Sequence, residues 1–325
     1  MKQKLFSMLA LLLMAATGAW AQSYTVTLKS GTEDAENWTI SAGTDKSADG
    51  TTGLSGLSGD GTETVTITYN GSKRIKNITA EKVAEAAVPE GAINGKFTVS
   101  ASGDQVYFSK GNLKYDGSAW SFFDNQYDYL TTHDGTNWDK FGWSTSTTTY
   151  GMSTSQSSSA YSGDFVDWGA TMGTGWRTLT SDEWKYLFNT RSASTVDGTA
   201  NARYAKAKVN NVQGVILFPD TYTHPSDVTA PTDINETGDA GWYGNTYDAT
   251  AWAKMESAGC VFLPAAGIRV GSSVDDAGSC GDYWSGTANG TSGAHDMYFD
   301  SDDLYPASYN SSYYGFSVRL VCAAE

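Results

Sequence analysis

The sequence contains few of the residues on which most catalytic and metal sites depend. Its 325 residues include three histidines and three cysteines. No two histidines have the helical H-E-x-x-H spacing of a zinc site, and no serine is framed by the glycines of a nucleophile elbow. No pair of carboxylates stands out among the 36 acidic residues as the two that a glycoside hydrolase needs. We therefore expect no enzymatic activity, no cofactor and no metal ion.

Positive charge and long apolar runs are also scarce. Lysine and arginine total 21 against 36 aspartates and glutamates, which gives a formal net charge of -15. A surface of this sign repels nucleic acid and anionic lipid head groups at long range. Beyond the N-terminus no stretch approaches the roughly 20 apolar residues of a membrane helix. We expect no nucleic-acid partner and no membrane insertion of the mature chain.

The N-terminus is typical of a secretory signal peptide. It starts with Met-Lys-Gln-Lys, continues with an apolar run from Leu5 to Ala16, and ends with Ala19-Trp20-Ala21. We expect cleavage of residues 1–21 and export, as a secreted or cell-surface protein or into the periplasm. An anchor that stays uncleaved is the alternative. Removal of Lys2 and Lys4 with the signal would change the formal charge to -17.

The three cysteines lie at positions 260, 280 and 322. An oxidising compartment would permit one disulfide and leave one thiol over. Cys260 with Cys322 is the favoured pair, because both lie in short apolar runs that are typical of strands. The sequence alone does not fix the pairing.

Two parts of different character follow the signal peptide. Residues 22–80 alternate apolar and polar side chains, as in Tyr24–Leu28 and Val65–Tyr69, which predicts a small all-β, sandwich-like module. Residues 81–90 are typical of a linker. From 91 to 325 aromatic residues are dense, and short strand patterns alternate with long Ser/Thr/Gly loops.

Two helices are predicted in the second part. Thr180 or Ser181 can cap the first, which has acidic residues in its first turn. Asp248 can cap the second, and Gly259 can end it. Two helices among many short strands predict an α+β domain for residues 91–325, after the small β module.

Three ordered blocks of the second part resemble a known family. Gly175–Trp184 resembles a GWRLPT-x-x-EW signature, Tyr283–Thr287 a YWSST element, and Gly315–Val321 a closing G-x-SVR strand. In order and spacing the three blocks look like the major-paralogue group of bacterial surface proteins, which have a C-type-lectin-like fold related to the formylglycine-generating enzyme. Segments 108–113, 125–129 and 262–267 look like the version common in gut Bacteroidetes.

The resemblance runs from Gly91 to the C-terminus and implies a C-type-lectin-like ligand-binding domain. Thr178-Leu179 departs from the commoner Leu-Pro of the signature. The formylglycine-generating enzymes need a close cysteine pair, whereas the gaps between cysteines here are 20 and 42 residues. The E-P-N, Q-P-D and W-N-D strings of calcium-dependent lectins do not occur. The resemblance therefore implies neither that enzymatic activity nor calcium-dependent sugar binding.

Five residues of these blocks are expected to be structural. Trp176, Trp184 and Trp284 should be largely buried, with each indole N–H bonded to a partner. Arg177 and Arg319 lie in apolar runs. Each should pair with a carboxylate or a carbonyl, because an unpaired buried charge is costly.

The segment 276–316 has the most unusual composition of the chain. Its 41 residues include six Asp, six Tyr, seven Ser, two Asn and one His. Tyrosine supplies rigid amphipathic contact area, and serine and asparagine supply adaptable hydrogen bonds, as in antibody paratopes. Changes of adenine in an asparagine codon produce this same set of residues. The segment thus resembles the variable region of a diversity-generating retroelement target protein; a general abundance of Ser, Tyr and Asp is the alternative explanation.

We expect an adhesin- or receptor-like protein that binds a protein or glycan ligand on another cell or host surface. One alternative is a carbohydrate-binding or glycan-processing protein on the same scaffold, and another is a structural component of a surface assembly. The candidate ligand-binding residues are Asp282, His295, Asp296, Tyr298, Asp300, Asp302, Asp303, Tyr305, Ser308, Tyr309, Ser311, Ser312, Tyr313, Tyr314 and Phe316.

Overall fold

The computed structural model describes residues 8–12, 23–28, 34–42, 46–58, 64–71, 80–84, 88–238 and 241–324. The chain divides into two compact units, unit 1 (Met1–Ala87) and unit 2 (Val88–Glu325). The predicted cleavage site Ala19-Trp20-Ala21 and residues 85–87 of the predicted linker lie outside the described residues. No helix among the described residues is long and apolar enough to cross a membrane.

Unit 1 is built from short antiparallel strands. In its described part these are β1 (Met8–Leu12), β2 (Ser23–Leu28), β3 (Trp38–Ala42), β4 (Lys46–Asp49), β5 (Leu54–Ser58), β6 (Thr64–Tyr69) and β7 (Ala80–Ala84). They form two sheets with the strand orders β1-β6-β3-β4 and β5-β2-β7. A 3-10 turn, Ala35–Asn37, precedes β3.

The core of unit 1 follows from the alternation in its sequence. Val65, Ile67 and Tyr69 of β6 are buried, while the threonines between them are half-buried. Opposite them on β3, Trp38 pairs with Tyr69, and their ring centroids are 4.9 Å apart. A period of two along both strands thus places one apolar face toward the core.

Two sequence-based boundaries fall on strands of unit 1. Strand β1 lies within the predicted signal peptide and pairs with β6; cleavage of residues 1–21 stays a prediction. Strand β7 overlaps the predicted linker 81–90, because Ala80–Ala84 pair with β2. Four residues of that segment therefore extend a sheet rather than connect two domains.

Unit 2 holds the remaining elements. Its described strands are β8 (Phe97–Thr98), β9 (Gln105–Phe108), β10 (Leu113–Tyr115), β11 (Trp120–Phe122), β12 (Trp176–Arg177), β13 (Tyr204–Val209), β14 (Val212–Leu217), β15 (Thr246–Tyr247), β16 (Val261–Pro264), β17 (Ile268–Val270), β18 (Ser273–Asp275), β19 (Gly281–Asn289), β20 (Gly293–Phe299), β21 (Leu304–Ser311) and β22 (Val321–Ala323). Its helices are α1 (Ser181–Asn189), α2 (Gly241–Gly244) and α3 (Ala249–Ser257), with 3-10 turns at Ser158–Tyr161 and Trp168–Thr171.

The prediction of an α+β domain is wrong, because the structure is largely β. Strands account for 37% of the residues and helices for 11%. The sheets of unit 2 are small, with the orders β12-β22-β9-β8, β15-β13-β14-β16 and β19-β20-β21, besides the hairpins β10-β11 and β17-β18. Capped helices are easy to recognise in a sequence. Strands of two to four residues are too short to show a clear alternation of apolar and polar residues, so the strand content was underestimated.

Both predicted helices form, and their caps are those that the sequence indicates. Thr180 and Glu183 make a reciprocal capping box at the start of α1. Asp248 accepts a hydrogen bond from the amide of Ala251 at the start of α3. Helix α1 buries Trp184 against the sheet β19-β20-β21, which contributes Tyr283, Met297 and Phe299 to the same core cluster.

The three cysteines are free and buried, so the favoured Cys260–Cys322 disulfide is wrong. Cys260 precedes β16, while Cys322 lies in β22 of a different sheet. The thiol of Cys322 lies 3.9 Å from the carbonyl oxygen of Tyr107. The two apolar runs that suggested the pair are strands of separate sheets. Their similar sequence pattern therefore did not indicate that the two cysteines are close in space.

The five residues expected to be structural differ in burial. Trp184 and Trp284 are fully buried, and Trp176 is half-buried. The indole of Trp284 donates to the carbonyl of Phe141 at 2.6 Å, whereas that of Trp184 has no partner, contrary to expectation. Arg177 is more exposed and forms a two-bond ion pair with Glu183, at 2.6 and 2.8 Å.

Arg319 is the buried centre of a polar network. Its guanidinium donates to the side-chain oxygens of Gln126 and Asn112 and to the carbonyl of Phe262, the last two at 3.3 Å. Gln126 also accepts from the amide of Phe262 at 2.8 Å and donates to Glu256 at 2.7 Å. Burial lowers the pKa of Arg319 to about 10. The guanidinium thus remains charged at neutral pH and depends on these acceptors.

We predict that Gln126→Leu lowers the free energy of unfolding by about 3 kcal/mol, because it deprives a buried charge of an acceptor. Urea denaturation followed by tryptophan fluorescence measures the change. Asn125→Ala is the control: this exposed neighbour bonds only locally to Asp128, and its loss should cost about 0.5 kcal/mol or less. Equal effects of the two substitutions would contradict a central role for the network.

Candidate functional site

The segment 276–316 folds mainly into the antiparallel sheet β19-β20-β21. In β20, Met297 and Phe299 point into the core, and Asp296 and Tyr298 point to the opposite face. On that face a cavity of about 570 Å³ opens beside the sheet. It is lined by Ile268, Asp276, Ser279, Cys280, Asp282, Tyr298, Asp300, Ser301, Tyr305, Ser308, Asn310, Tyr314 and Phe316. We call it the aspartate–tyrosine cavity.

A register shift in the sheet decides which tyrosines face the cavity. Asp296 pairs with Ser308 and Tyr298 pairs with Tyr305, so β21 has one more residue than β20 between these pairs. The extra residue brings both Ser308 and Tyr305 to the cavity side, although they are three positions apart. Tyr309 pairs with His295 on the other face, and their rings meet edge to face with centroids 6.3 Å apart.

Aromatic rings line the cavity in two stacked groups. The rings of Tyr298 and Tyr305 are nearly parallel, with an angle of 14° and centroids 6.2 Å apart. Tyr314 stacks on Phe316 with an angle of 13°, and Phe316 packs against Trp284 with centroids 4.3 Å apart. Phe316 and Trp284 are buried, so the second group is anchored in the core. These contacts hold the ring faces in fixed directions.

Two carboxyl groups are buried at the base of this face. Asp282 is 3% exposed and Asp296 1%. They occupy diagonal positions on β19 and β20, because Asp282 pairs with Tyr298 and Asp296 pairs with Trp284. Asn310 donates to one oxygen of Asp296 at 3.3 Å, and the other oxygen has no partner. The thiol of Cys280 donates a hydrogen bond to a carboxyl oxygen of Asp282, with a sulfur–oxygen distance of 3.4 Å.

Burial strongly affects the ionisation of both carboxyls. It raises the pKa of Asp296 to about 7, although the hydrogen bond from Asn310 works in the other direction. Burial, and next the charge of Asp296, raise the pKa of Asp282 well above its ordinary value. Burial and the neighbouring Asp282 also raise the pKa of the Cys280 thiol. Near neutral pH the carboxyl of Asp296, beneath the cavity face, can therefore hold or release a proton.

The acidic turn after β20 is held by its own hydrogen bonds. Asp300 accepts from the amides of Asp302 and Asp303 at 2.9 and 2.8 Å, and from the hydroxyl of Tyr298 at 2.5 Å. Tyr305 donates to Asp303 at 2.9 Å. Although burial opposes ionisation of Asp300, these donors keep its pKa below the ordinary value. The turn thus fixes the positions of Tyr298 and Tyr305.

The structure divides the candidate residues into two sets. Those that line the cavity are Asp282, Tyr298, Asp300, Tyr305, Ser308, Tyr314 and Phe316. Those outside its lining are His295, Asp296, Asp302, Asp303, Tyr309, Ser311, Ser312 and Tyr313. Of the second set, Asp296 is buried beneath the cavity face and Ser312 is buried where it donates to the carbonyl of Ser292.

Six lining residues were missed by the sequence reasoning: Ile268, Asp276, Ser279, Cys280, Ser301 and Asn310. Four of them lie within the segment of biased composition and belong to its residue types, so its composition could have included them. Ile268 precedes the segment on β17 and carries no such signal. It reaches the cavity because its neighbour Arg269 pairs through the main chain with Gly315, beside Tyr314 and Phe316.

Other sources of functional information are sparse. No group of three or more His, Cys, Asp or Glu that could hold a metal ion occurs within the described ranges. Comparison of the chain with protein-family models, curated proteins and solved structures finds no match.

We predict that Asp296→Asn stabilises the protein above pH 7. The folded state holds the Asp296 proton up to about pH 7, whereas the unfolded chain releases it near pH 4. The contribution of Asp296 to the free energy of unfolding therefore falls as the pH rises from about 4 to about 7, by at most about 1.4 kcal/mol per pH unit. Asparagine removes this loss and can keep the bond to Asn310.

Urea denaturation at pH 4.5 and pH 8 measures the effect of Asp296→Asn. We expect little difference from the wild type at the lower pH and a gain on the order of 1–3 kcal/mol at the higher. Asp164→Asn, at an exposed position, makes the same charge change and should show neither effect. A loss of stability at pH 8 would contradict the raised pKa.

Proposed function

We propose that the chain is an exported, non-catalytic ligand-binding protein that recognises its ligand in the aspartate–tyrosine cavity. The carrying observation is the cavity itself, which combines a volume of about 570 Å³ with parallel tyrosine rings and the buried carboxyl of Asp282. Ligand pockets in proteins are commonly about 300–1,000 Å³ and contain a few fixed polar groups. Both properties support binding rather than a purely solvated face.

The chemistry of the lining supports an adhesin- or receptor-like role. Tyr298 and Tyr305 provide ring faces at little entropic cost, because their hydroxyls are already bonded to Asp300 and Asp303. Ser308 and Asn310, two positions apart on β21, provide polar groups on the same side of the strand. Rigid aromatic anchors next to adaptable polar groups are the composition of evolved binding surfaces. The ligand would be a protein or a glycan on another surface.

We also propose that a retroelement diversifies this segment, but at fewer positions than the candidate residues named from the sequence. Phe316 and Ser312 are 1% and 2% exposed, so free variation there would disturb the core. Tyr305 and Ser308 line the cavity from a strand whose main chain fixes their positions. Substitutions at Tyr305 and Ser308 can therefore change which ligand is bound without changing the fold.

Carbohydrate recognition is the second candidate, and one observation favours it. The parallel rings of Tyr298 and Tyr305 present flat faces beside hydrogen-bonding groups, which suits a ligand that has both an apolar face and hydroxyls. A glycan and a polypeptide would use the same rings but different polar partners. The binding experiment below includes both classes.

We predict that Tyr305→Ala abolishes ligand capture and that Tyr309→Ala leaves it intact. The two tyrosines lie on the same strand and are exposed to 51% and 68%, but only Tyr305 lines the cavity. The probes are a glycan array and a phage-displayed peptide library, each incubated with the purified wild-type chain. Every ligand captured by the wild type is then tested against both variants.

The melting temperatures of both variants should stay within about 2 °C of the wild type, because each residue is largely exposed. Loss of capture with Tyr309→Ala alone would place the binding surface on the other face of the sheet. Capture that is unchanged in Tyr305→Ala would refute the cavity as the binding site. Chelator-sensitive glycan binding would instead favour a calcium-dependent lectin.

Export is tested separately. We predict that the chain recovered from outside the cytoplasm begins at Gln22, because Ala19-Trp20-Ala21 is the predicted cleavage site. N-terminal sequencing identifies the first residue. Ala21→Pro should block cleavage, while Ser23→Ala, two residues beyond the site, should not. A chain recovered with Met1 at its start would contradict cleavage.

A further inference from the structure

The two edges of the sheet β19-β20-β21 differ in what covers them. On the β19 side, Tyr283 forms a bridge with Ser317, the amide of Trp284 donates to the carbonyl of Ser317 at 3.1 Å, and the amide of Ser317 donates to the carbonyl of Asp282 at 3.0 Å. On the other side β21 ends the sheet. Within the described residues, no backbone-to-backbone hydrogen bond joins positions 304–310 to a segment other than β20. One edge is therefore occupied by main chain, and the other is open.

The ladder between β20 and β21 decides which main-chain groups point outward. At its end, the amide of Ser312 donates to the carbonyl of Ser292 at 3.0 Å. Along an antiparallel strand, main-chain groups that point toward the neighbouring strand alternate with groups that point away from it. The N–H and C=O of Asn310, which pairs with Ala294, therefore point toward β20. Those of Tyr309 point to the open edge.

The side chains of β21 do little to protect this edge. Natural edge strands commonly carry lysine, proline or an inward-pointing charge, which prevents pairing with another strand. Strand β21 (Leu304–Ser311) has no charged residue, and Pro306 removes a single donor near its start. Tyr305 and Tyr309 are the exposed large apolar side chains of the described residues, and both lie on β21, one on each face of the sheet. An open edge flanked by exposed rings is a surface to which another strand can add.

We propose that the open edge of β21 binds an extended, basic polypeptide, which adds to the sheet as a fourth strand. Strand addition obtains affinity from main-chain hydrogen bonds and specificity from the side chains that alternate between the two faces. The added strand would accept the outward N–H of Tyr309 and place side chains against the rings of Tyr305 and Tyr309. This edge goes beyond the proposed function, because it lies outside the cavity, although Tyr305 borders both.

Charge decides which kind of polypeptide fits this edge. Asp302 and Asp303 immediately precede β21, and Asp302 is exposed. The whole chain has a formal net charge of -15. Basic residues of a partner are attracted to this end of the strand, whereas a second copy of the chain carries the same negative charge and is repelled. The partner is therefore a basic polypeptide rather than another copy.

The peptide acetyl-Lys-Thr-Val-Thr-Val-Thr-Lys-amide is the probe for this edge. Two modified forms carry N-methyl groups either on the threonines or on the valines and the C-terminal lysine. Because alternate N–H groups of a strand point to opposite sides, only one form keeps the donors that face β21. Fluorescence anisotropy at low ionic strength measures the binding of each labelled peptide to the full chain. We expect one form to bind like the unmodified peptide and the other at least about tenfold more weakly.

Variants connect the binding to the edge. Tyr309→Pro removes the outward N–H and should abolish binding of the lysine peptide, because proline has no amide hydrogen to donate. Tyr309→Ala is the matched control: it keeps the N–H and should bind within about threefold of the wild type. Glutamate in place of both lysines of the peptide should weaken binding several-fold. Melting temperatures check that both variants fold; if Tyr309→Pro does not, the methylated peptides decide the question on the wild-type chain.

Four results would overturn the proposal. They are no binding of the lysine peptide to the wild type, equal binding of the two methylated forms, undiminished binding of the glutamate peptide, and equal loss of binding in Tyr309→Ala and Tyr309→Pro. A dimer in sedimentation that Tyr309→Pro dissociates would assign the edge to a second copy and would overturn it as well. Tyr305-dependent capture that persists when the lysine peptide fails would leave the proposed function intact. Absence of any Tyr305-dependent ligand while the lysine peptide binds would refute the proposed function alone.

Discussion

The packing of unit 2 depends on one buried guanidinium. Arg319 joins the side chain of Gln126 to the main chain of β16 through Phe262, and it reaches Asn112 before β10. Asn112 in turn donates to the hydroxyl of Tyr283 on β19 at 3.2 Å. Segments that are far apart in sequence thus provide hydrogen-bond acceptors to one buried guanidinium. Loss of an acceptor would leave part of this charge unpaired and would destabilise the fold. Tyr283 connects the cavity sheet to this network.

The hydrogen-bond acceptors of Arg319 are neutral amide and carbonyl oxygens, and its Nε has no partner within the described residues. Glu256 is joined to it by hydrogen bonds through Gln126. Asp282 and Asp296 lie on another face of the core and receive no basic partner within the described residues. The buried guanidinium of Arg319 therefore stabilises the scaffold and does not offset the burial of Asp282 or Asp296.

Local features of this fold could be predicted from the sequence, and features that depend on register could not. Thr180 with Glu183 and the carboxylate of Asp248 mark helix starts within four residues of chain. The alternation of Val65, Ile67 and Tyr69 marks a strand in the same way. The cavity depends instead on one extra residue in β21, which turns Tyr305 toward Asp282 and leaves Tyr309 on the other face. Composition singled out the segment that lines most of the cavity but could not assign its faces.

The two buried acids show why the cavity face is more than a polar surface. If its role were only to keep the protein soluble, exposed aspartates such as Asp302 would serve at no cost, whereas Asp296 and Asp282 lose the hydration of a carboxylate. Burial raises the pKa of both groups, and protonation reduces that cost. A sheet face that keeps desolvated acids next to ordered tyrosine rings loses stability in the unliganded state. Under the proposed binding function, a ligand that donates to a carboxyl of this face would offset that loss.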